Sequence, residues 1–254
     1  MVAIILAGGM GTRIAGIVPD RPKPLVTVAG RPFLHWVSRW VESQGETRMV
    51  LAARHLSEQV AAWAAAEIRE RPGCRMIVCV EPSPLGTGGA VVNAASTWKD
   101  DRYLIVNGDS LALASLAAAY RWLDGDGTLD GVIVAVRAAD AGRFGGLDIG
   151  DGGLLRGFHE KRPGAGLINA GIYLLRSRLL DRLAPGPLSL EQECIPFWLG
   201  QGARIGVVAA DAPFIDIGTP ESLAEADAFV ETFLGLWDDP SRLPPTAPAR
   251  QGGQ

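Results

Sequence analysis

The first half of the chain alternates short apolar runs with longer stretches in which apolar residues recur every three or four positions. A short aliphatic run bounded by Gly, Pro or charge predicts a buried strand, and the longer spacing predicts an amphipathic helix. The pattern predicts strands over 2–6, 49–53, 76–80, 103–107 and 132–136, and helices over 33–41, 57–68 (capped by Ser57), 88–95 and 113–123. This alternation favours an α/β fold with a doubly wound, mostly parallel sheet.

The pattern changes after residue 142. Residues 143–175 are rich in Gly and predict a strand-rich insertion at the mouth of the sheet, with short strands at 147–149, 154–160 and 168–175. Ser189 is predicted to cap a helix that reaches about residue 199, and strands are predicted at 205–209 and 214–217. Thr219-Pro220-Glu221 has the cap, the Pro and the acid typical of a helix start, and that helix is predicted to end near 234.

These elements predict one domain over residues 1–238, with one half at 1–138 and the other at 139–238. Residues 239–254 are rich in Pro and are predicted to form a disordered tail.

Composition and charge restrict the kind of protein. Apolar residues make up 48% of the chain and charged residues 20%, which is ordinary for a soluble globular protein, and the apolar runs are too short to span a membrane. The N-terminus lacks the basic region of a signal peptide, so a cytoplasmic protein is expected. A net charge of −4 without a basic run argues against nucleic-acid binding. The oligomeric state stays open, and a homo-oligomer is compatible with the sequence.

Lysine is rare in this chain, which has 21 Arg but three Lys: Lys23, Lys99 and Lys161. A compact ammonium binds phosphate as a point charge, whereas a guanidinium requires a planar fork, so these lysines are candidates for phosphate contacts. Lys23 lies between Pro22 and Pro24, which restrict the backbone on both sides. A solvated surface lysine is the alternative interpretation.

The first predicted strand runs into a Gly-rich loop, Leu6-Ala7-Gly8-Gly9-Met10-Gly11-Thr12-Arg13. Glycines after a strand let backbone N–H groups approach phosphate oxygens. Ile14 stands where the dinucleotide-binding pattern requires its third Gly, and Ile17 stands where the Walker pattern requires Lys. The loop alone is compatible with a plain tight turn, but Arg13 within it and Lys23 beyond it favour an anion site.

This loop and Pro22-Lys23-Pro24 resemble the N-terminal motif of the sugar-nucleotide pyrophosphorylases, or sugar-1-phosphate nucleotidyltransferases. The resemblance extends to about residue 234 and implies a Rossmann-like nucleotide-diphospho-sugar transferase fold with a sugar-binding insertion. It also implies an enzyme that joins a nucleoside triphosphate to a sugar 1-phosphate and releases pyrophosphate. In the family, the position of Arg13 holds the outer phosphates and that of Lys23 reaches phosphates near the reaction centre. The loop residues implied to bind nucleotide are Leu6, Ala7, Gly8, Gly9, Gly11, Thr12 and Arg13.

Later motifs follow in the family's order. The segment 81–90 resembles the part that reads the nucleobase, which assigns Glu81, Gly86 and Thr87 to nucleotide binding; its glycines are interpreted as leaving room for a purine. Asn107-Gly108-Asp109 ends a predicted strand and resembles a nucleotide- and metal-binding segment, with Asn107 and Gly108 on the nucleotide. Asp109 and Asp216 resemble the family's two metal ligands, and two carboxylates with phosphate oxygens suit Mg²⁺.

The Gly-rich insertion resembles the sugar-phosphate-binding half of the family. The resemblance places Gly145 and Gly146 beside the sugar ring, Glu160 and Asn169 on its hydroxyls, and Lys161 on its phosphate. A surface ion pair between Glu160 and Lys161, worth under about 1 kcal/mol, is the alternative.

The implied chemistry is electrostatic. A sugar 1-phosphate is already largely ionised near neutral pH, so its oxygen can attack the α-phosphorus without a Ser, Cys or His nucleophile. The two polyanions must be neutralised and aligned, and the implied catalytic charges are Arg13, Lys23 and Lys161, together with Mg²⁺.

Within the family, the segments 84–90, 107–109, 166–171, 188–191 and 214–218 resemble D-glycero-D-manno-heptose 1-phosphate guanylyltransferases, which supply activated heptose for bacterial capsules and surface glycans. GTP and this heptose phosphate are therefore the expected substrates. A hexose-1-phosphate guanylyl-, uridylyl- or thymidylyltransferase stays open as an alternative. A non-catalytic sugar-nucleotide-binding subunit is a second one, disfavoured because the implied charged residues are all present.

Overall fold

The computed structural model describes residues 1–9, 20–138, 141, 146–159 and 164–249. Its first strand, β1 (Val2–Leu6), is buried on both faces: Ala3 and Ile5 pack into one hydrophobic core, and Val2 and Ile4 pack into a second core across the sheet. A strand covered by helices on both faces needs apolar residues at every position, which explains the unbroken apolar run.

The central sheet contains ten strands within the described ranges. In chain order the strands are β1, β4 (Arg48–Ala53), β5 (Arg75–Val80), β6 (Arg102–Asn107), β8 (Gly131–Ala138), β9 (Gly146–Ile149), β10 (Leu155–His159), β11 (Gly166–Arg176), β12 (Ile205–Ala210) and β14 (Ala247–Pro248). Two small two-stranded sheets pair β2 (Thr27–Val28) with β3 (Arg31–Pro32) and β7 (Ser110–Ala112) with β13 (Phe214–Asp216).

Along the main path of the central sheet, four of the seven neighbouring strand pairs run parallel. The main path has the order β14-β12-β8-β11-β6-β1-β4-β5, in which β6, β1, β4 and β5 are parallel and β12 is parallel to β8. The strand β11 runs antiparallel to both β6 and β8, and β9 and β10 extend from it as an antiparallel hairpin. The predicted mixed, mostly parallel sheet with a strand-rich insertion is confirmed.

Helices cover both faces of the sheet. One face packs against α1 (Phe33–Ser43), α2 (Ser57–Glu70), α4 (Ala117–Gly125), α7 (Pro220–Phe233) and α8 (Gly235–Asp238), and the other against α3 (Gly86–Thr97), α5 (Ser177–Leu180), a π-helical turn (Leu190–Cys194) and α6 (Ile195–Gly200). Three 3₁₀ turns complete the set, at Lys23–Leu25, Asp151–Gly153 and Pro240–Arg242. In the part of the chain that the structure describes, none of these helices has the length and hydropathy needed to cross a membrane.

The helix starts agree with the sequence at two places and differ at two others. Ser189 caps the π-helical turn by accepting from Gln192 N, and Thr219 caps α7 within a capping box. The residue before α2 is Leu56 in a left-handed conformation, so Ser57 lies inside the helix and the predicted Ser57 cap is wrong. The helix α4 begins at Ala117, because residues 113–116 lie outside it: Leu113, Ala114 and Leu116 are buried, and Ser115 forms a bridge with Pro245.

The predicted disordered tail is wrong for residues 239–249. Ala247 and Pro248 pair with Ala209 and Val208 as the strand β14 at the sheet edge. Leu243, Thr246 and Ala249 are buried, with 5–6% exposure, and Ala249 N donates to Val207 O at 2.8 Å. A Pro-rich segment can occupy an edge strand, where one side of the backbone needs no partner.

Candidate active site

The carboxyl ends of β1, β4, β5 and β6 lie side by side at one edge of the sheet. The segments that leave these strands are held together by backbone hydrogen bonds. Glu81 N donates to Ala53 O at 2.9 Å, and Gly108 N donates to Leu6 O at 3.0 Å. In open α/β sheets, ligands bind in the crevice outside these strand ends. The predicted nucleotide-binding segments therefore meet where the fold places a binding crevice.

Gly8 lies against the carboxylate of Glu81. A Cβ at Gly8 would stand 2.5 Å from Glu81 Oε1, so a larger residue would displace the carboxylate. Glu81 Oε2 accepts from Leu85 N at 3.2 Å, and the residue is 9% exposed. Burial raises the pKa of Glu81, opposed by the Leu85 N–H and the nearby Arg54 guanidinium. Glu81 is thus a buried acceptor beside the nucleotide loop, and its contact with a base stays a prediction.

The glycines at the start of α3 pack against a neighbouring segment of backbone. A Cβ at Gly86 would stand 2.5 Å from Leu188 O, and one at Gly89 would stand 2.2 Å from Gly186 O. Gly86 also has a φ of +65°, which disfavours any residue with a side chain. The interpretation that these glycines make room for a purine is corrected: their missing side chains permit close packing onto residues 186–188.

Thr87 uses its hydroxyl within the protein. Its Oγ1 accepts from Leu190 N at 2.8 Å and donates to Glu191 Oε2 at 3.2 Å. The donor of the Thr87 hydroxyl is therefore used within the protein, and the contact of Thr87 with a nucleotide stays a prediction.

Asn107 and Gly108 occupy a close crossing between β6, β1 and β11. A Cβ at Gly108 would stand 2.6 Å from Leu6 O, so only glycine fits where the chain passes the end of β1. The Asn107 side chain lies over Gly171, which has a φ of +72° within a bulge of β11. The crossing brings the nucleotide half and the sugar half of the chain into contact.

Two carboxylates and a lysine converge beside this crossing. Lys23 Nζ lies 2.6 Å from Asp109 Oδ2; the lysine side chain is 11% exposed and the aspartate 41%. Asp216 is beside them, because it pairs with Ser110 between β13 and β7, and Ile217 N donates to Asp109 O at 2.9 Å. The sequence separates Lys23, Asp109 and Asp216 by about a hundred residues each, and the fold unites them.

Local backbone structure fixes both ends of this group. Lys23 begins a 3₁₀ turn in which Pro24 and Leu25 are buried, so its backbone is anchored. Asp216 Oδ1 accepts from Gly218 N at 2.9 Å, and a Cβ at Gly218 would stand 2.5 Å from that oxygen and 3.4 Å from Lys23 Nζ. Glycine at 218 therefore keeps a small space open between the carboxylate and the ammonium.

The two carboxylates can hold Mg²⁺ only if the substrate supplies further oxygen ligands. Asp109 and Asp216 supply hard oxygen ligands, which Mg²⁺ prefers, but no group of three or more His, Cys, Asp or Glu suited to a metal occurs within the described ranges. Mg²⁺ usually binds through one or two carboxylates and completes its shell with phosphate oxygens and water. The pair is therefore suited to a metal that arrives with a nucleotide.

In the sugar half, Gly146 and Asn169 lie close together. Gly146 begins β9 and pairs with Ile168 of β11, next to Asn169. Asn169 Oδ1 accepts from Gly171 N at 3.0 Å, and its Nδ2 donates to Tyr173 OH at 2.7 Å.

Six other predicted site residues lie outside the described residues: Gly11, Thr12, Arg13, Gly145, Glu160 and Lys161.

The sequence analysis did not single out Tyr173, Glu191 or Arg54 as parts of the site. Tyr173 is fully buried within an apolar strand, and a buried tyrosine hydroxyl normally needs a partner, so its presence in β11 was the available signal. Arg54 follows β4 and lies close enough to act on the Glu81 carboxylate. Nothing in its local sequence distinguishes it from the other arginines.

The fold, with a Gly-rich sequence after β1 and a crevice at the strand ends, is typical of the class of α/β proteins that bind nucleotides. A model of the family "Nucleotidyl transferase" matches residues 2–232, and the chain belongs to this family. The family resemblance read from the sequence is confirmed.

Three similar proteins are named as sugar-1-phosphate guanylyltransferases. The D-glycero-alpha-D-manno-heptose 1-phosphate guanylyltransferase of Campylobacter jejuni is 31% identical over 87% of this chain and 96% of its own length. That of Aneurinibacillus thermoaerophilus is 27% identical over 92% of this chain and all of its own length. The mannose-1-phosphate guanylyltransferase of Mycobacterium tuberculosis is 32% identical over 89% of this chain and 63% of its own length.

Solved structures agree on the fold. A crystal structure of HddC from Yersinia pseudotuberculosis complexed with GMP-PN is similar to this chain with a TM-score of 0.77 and 29% identity, covering 89% of this chain and 98% of the other. These relatives are named as transferases, so the chain belongs to a family of nucleotidyl-transferring enzymes.

Proposed function

We propose that this protein transfers the guanylyl group of GTP to D-glycero-D-manno-heptose 1-phosphate and releases pyrophosphate. The observation that carries the proposal is the convergence of Lys23, Asp109 and Asp216 at the edge where Gly8 and Glu81 also lie. The names of the two heptose 1-phosphate guanylyltransferases, which the chain matches over nearly their whole lengths, support the choice of substrates.

The reaction is an in-line displacement at the α-phosphorus. An oxygen of the sugar phosphate forms the new bond to that phosphorus, the bond to the bridging oxygen breaks, and pyrophosphate leaves with the electron pair. Lys23 would supply positive charge to the phosphates, exchanging its contact with Asp109 for a substrate oxygen. A charge held ready in a partly buried site costs little reorganisation during the reaction.

Mg²⁺, held by Asp109 and Asp216 together with phosphate oxygens, would neutralise charge on the triphosphate and help to align the displacement. Arg13 on the outer phosphates and Lys161 on the sugar phosphate would complete the set of cations. Each of these charges counters repulsion between two polyanions, which is the main obstacle to the reaction.

Guanine selection is proposed to depend on Glu81. An ionised carboxylate can accept from both the N1–H and the amino group of guanine, whereas uracil has no matching pair of donors. A base that leaves buried polar groups unpaired loses roughly 1–3 kcal/mol for each, enough to separate GTP from UTP. The product would serve glycosyl transfer into capsule or other surface glycans.

A substrate matrix tests the proposal. Pyrophosphate release is measured with Mg²⁺ for GTP, UTP, dTTP, CTP and ATP against heptose, mannose and glucose 1-phosphates, with Asp109→Asn as the inactive control. Turnover highest with GTP and the heptose phosphate is expected. Turnover highest with mannose 1-phosphate would favour the second candidate function, for which the Mycobacterium tuberculosis relative is the supporting observation. Equal use of GTP and UTP would contradict the preference for guanine. Absence of turnover with every pair of substrates would contradict the proposed transferase activity.

A further inference from the structure

A continuous chain of hydrogen bonds runs from the sugar half to the start of α3. Asn169 Nδ2 donates to Tyr173 OH at 2.7 Å, and Tyr173 OH donates to Glu191 Oε1 at 2.7 Å. The other carboxylate oxygen of Glu191 accepts from Thr87 Oγ1 at 3.2 Å. Tyr173 is fully buried and Glu191 is half-buried. This series of hydrogen bonds therefore links Asn169, the predicted sugar contact, to the segment that is predicted to hold the base.

A bulge in β11 makes the first of these contacts. Asn169 pairs with Ala135 of β8 and Ile172 with Val134, so two extra residues lie on β11 between them. Because two residues are added, the alternation of faces is preserved, and Asn169 and Tyr173 stand on the same face of the sheet. Without the bulge, residues four apart in a strand would be too distant for their side chains to bond.

The direction in which each of these hydrogen bonds is donated fixes the orientation of the Asn169 amide. Burial, with the Glu191 carboxylate close by, raises the pKa of Tyr173 well above its usual range, so the hydroxyl keeps its single proton. That proton is donated to Glu191 Oε1, so the Tyr173 oxygen can only accept from its other partner. Asn169 therefore turns its NH₂ group towards Tyr173 and its carbonyl towards Gly171 N, 3.0 Å away.

We propose that Tyr173 and Glu191 are positioning residues that hold Asn169 in the orientation in which it recognises a sugar hydroxyl. Within the described part of the protein, the Asn169 amide uses one of its two N–H groups and one of the two lone pairs on its oxygen. The remaining N–H and the remaining lone pair suit a sugar hydroxyl, which can both accept and donate a hydrogen bond. The inference rests on the proposed function because it takes Asn169 as the sugar contact. The proposal adds Tyr173 and Glu191 to the site as residues that act through Asn169 and do not contact the substrate themselves.

Steady-state kinetics of Tyr173→Phe tests the proposal, with GTP and the sugar 1-phosphate that the wild type uses best. The KM for the sugar phosphate is expected to rise roughly tenfold, the effect of leaving one buried polar group unpaired, while the KM for GTP changes less than about twofold. Glu191→Ala should raise the KM for the sugar phosphate by a similar factor. Glu191→Gln should recover most of the loss, because its amide oxygen still accepts from Tyr173.

Two variants control for general loss of stability. Tyr103→Phe removes the hydroxyl of another buried tyrosine, at the end of β6 away from the site, where it bonds Asp100 N and Ala95 O. Gln192→Ala changes an exposed side chain next to Glu191. Neither control should alter the KM for the sugar phosphate. Equal increases in both KM values for Tyr173→Phe, or the same effect in Tyr103→Phe, would overturn the proposal.

A double variant separates positioning from an independent role. If Tyr173 acts through Asn169, then Asn169→Ala combined with Tyr173→Phe should raise the sugar-phosphate KM no more than Asn169→Ala alone. Independent, multiplied effects would overturn the proposal.

A spectroscopic measurement decides the same point without turnover. The side-chain NH₂ signals of Asn169, assigned by their loss in Asn169→Ala, should shift in Tyr173→Phe and exchange faster with solvent. Unchanged signals would overturn the positioning role even in an active enzyme. If the wild type uses no sugar 1-phosphate, the proposed function fails, and these signals still report whether Tyr173 orients Asn169.

Discussion

Lys23→Met removes the cation beside Asp109 and keeps most of the volume and length of the side chain. The ammonium lies 2.6 Å from Asp109 Oδ2 and is 11% exposed, so a substrate phosphate that reached it would meet a charge with little competing water. Removing one preorganised charge of this kind commonly lowers the rate by roughly 10²–10³. We expect kcat with GTP and the preferred sugar phosphate to fall by that factor.

The same substitution should barely affect folding. Asp109 is 41% exposed, so water can solvate its carboxylate once the ammonium is removed, and the loss of such a pair is expected to cost about 1 kcal/mol or less. For a chain of this size, 1 kcal/mol corresponds to about 2–4 °C in Tm, so a loss of no more than about 4 °C is expected. A large loss of rate with a small loss of stability would distinguish a catalytic cation from a structural one.

The assay pairs pyrophosphate release with thermal unfolding. Lys99→Met is the matched control, because Lys99 is exposed and precedes the start of β6, at the opposite end of that strand from Asn107 and Asp109. This variant should retain wild-type kinetics. Lys23→Arg should recover little activity, since a planar guanidinium does not replace a compact ammonium. Activity of Lys23→Met within tenfold of the wild type would refute the catalytic role, and a fall in Tm above about 10 °C would show that the ion pair mainly stabilises the fold.

Four further substitutions test other parts of the site. Asp109→Asn and Asp216→Asn should each lower turnover roughly 10²-fold or more with little change in Tm, because each loses a charge without losing volume; more than a tenth of wild-type activity would contradict that ligand. Glu81→Gln should lower kcat/KM for GTP by at least about tenfold and leave that for UTP nearly unchanged, and equal losses would exclude base recognition by Glu81. Gly89→Ala should destabilise the protein by roughly 1–3 kcal/mol in denaturant unfolding, because its Cβ would meet backbone oxygen at 2.2 Å, whereas Gly125→Ala, with open space around it, should not.

The sequence alone predicted the layered α/β architecture, and it named the candidate site residues whose roles stay predictions. The unbroken apolar run of β1 encodes burial on both faces, and the cap and Pro at Thr219-Pro220 encode the start of α7. These are local signals, since periodicity, capping and proline restrict the chain within a few residues. The motifs around Lys23 and Asp109 likewise indicated phosphate and metal chemistry before any distance was known.

Contacts between distant segments were decided only by the tertiary structure. The tail pairs with β12 because an open sheet edge lies where it passes, which its Pro-rich composition does not reveal. The glycines of α3 exclude side chains because residues 186–188 pack against them, and a Gly-rich sequence looks the same whether it faces a ligand or another backbone. Tyr173 and Glu191 acquired their roles through hydrogen bonds across the fold. Local sequence patterns specify whether a segment forms a helix, a strand or a turn. Which other segment it packs against depends on how the whole sheet is assembled.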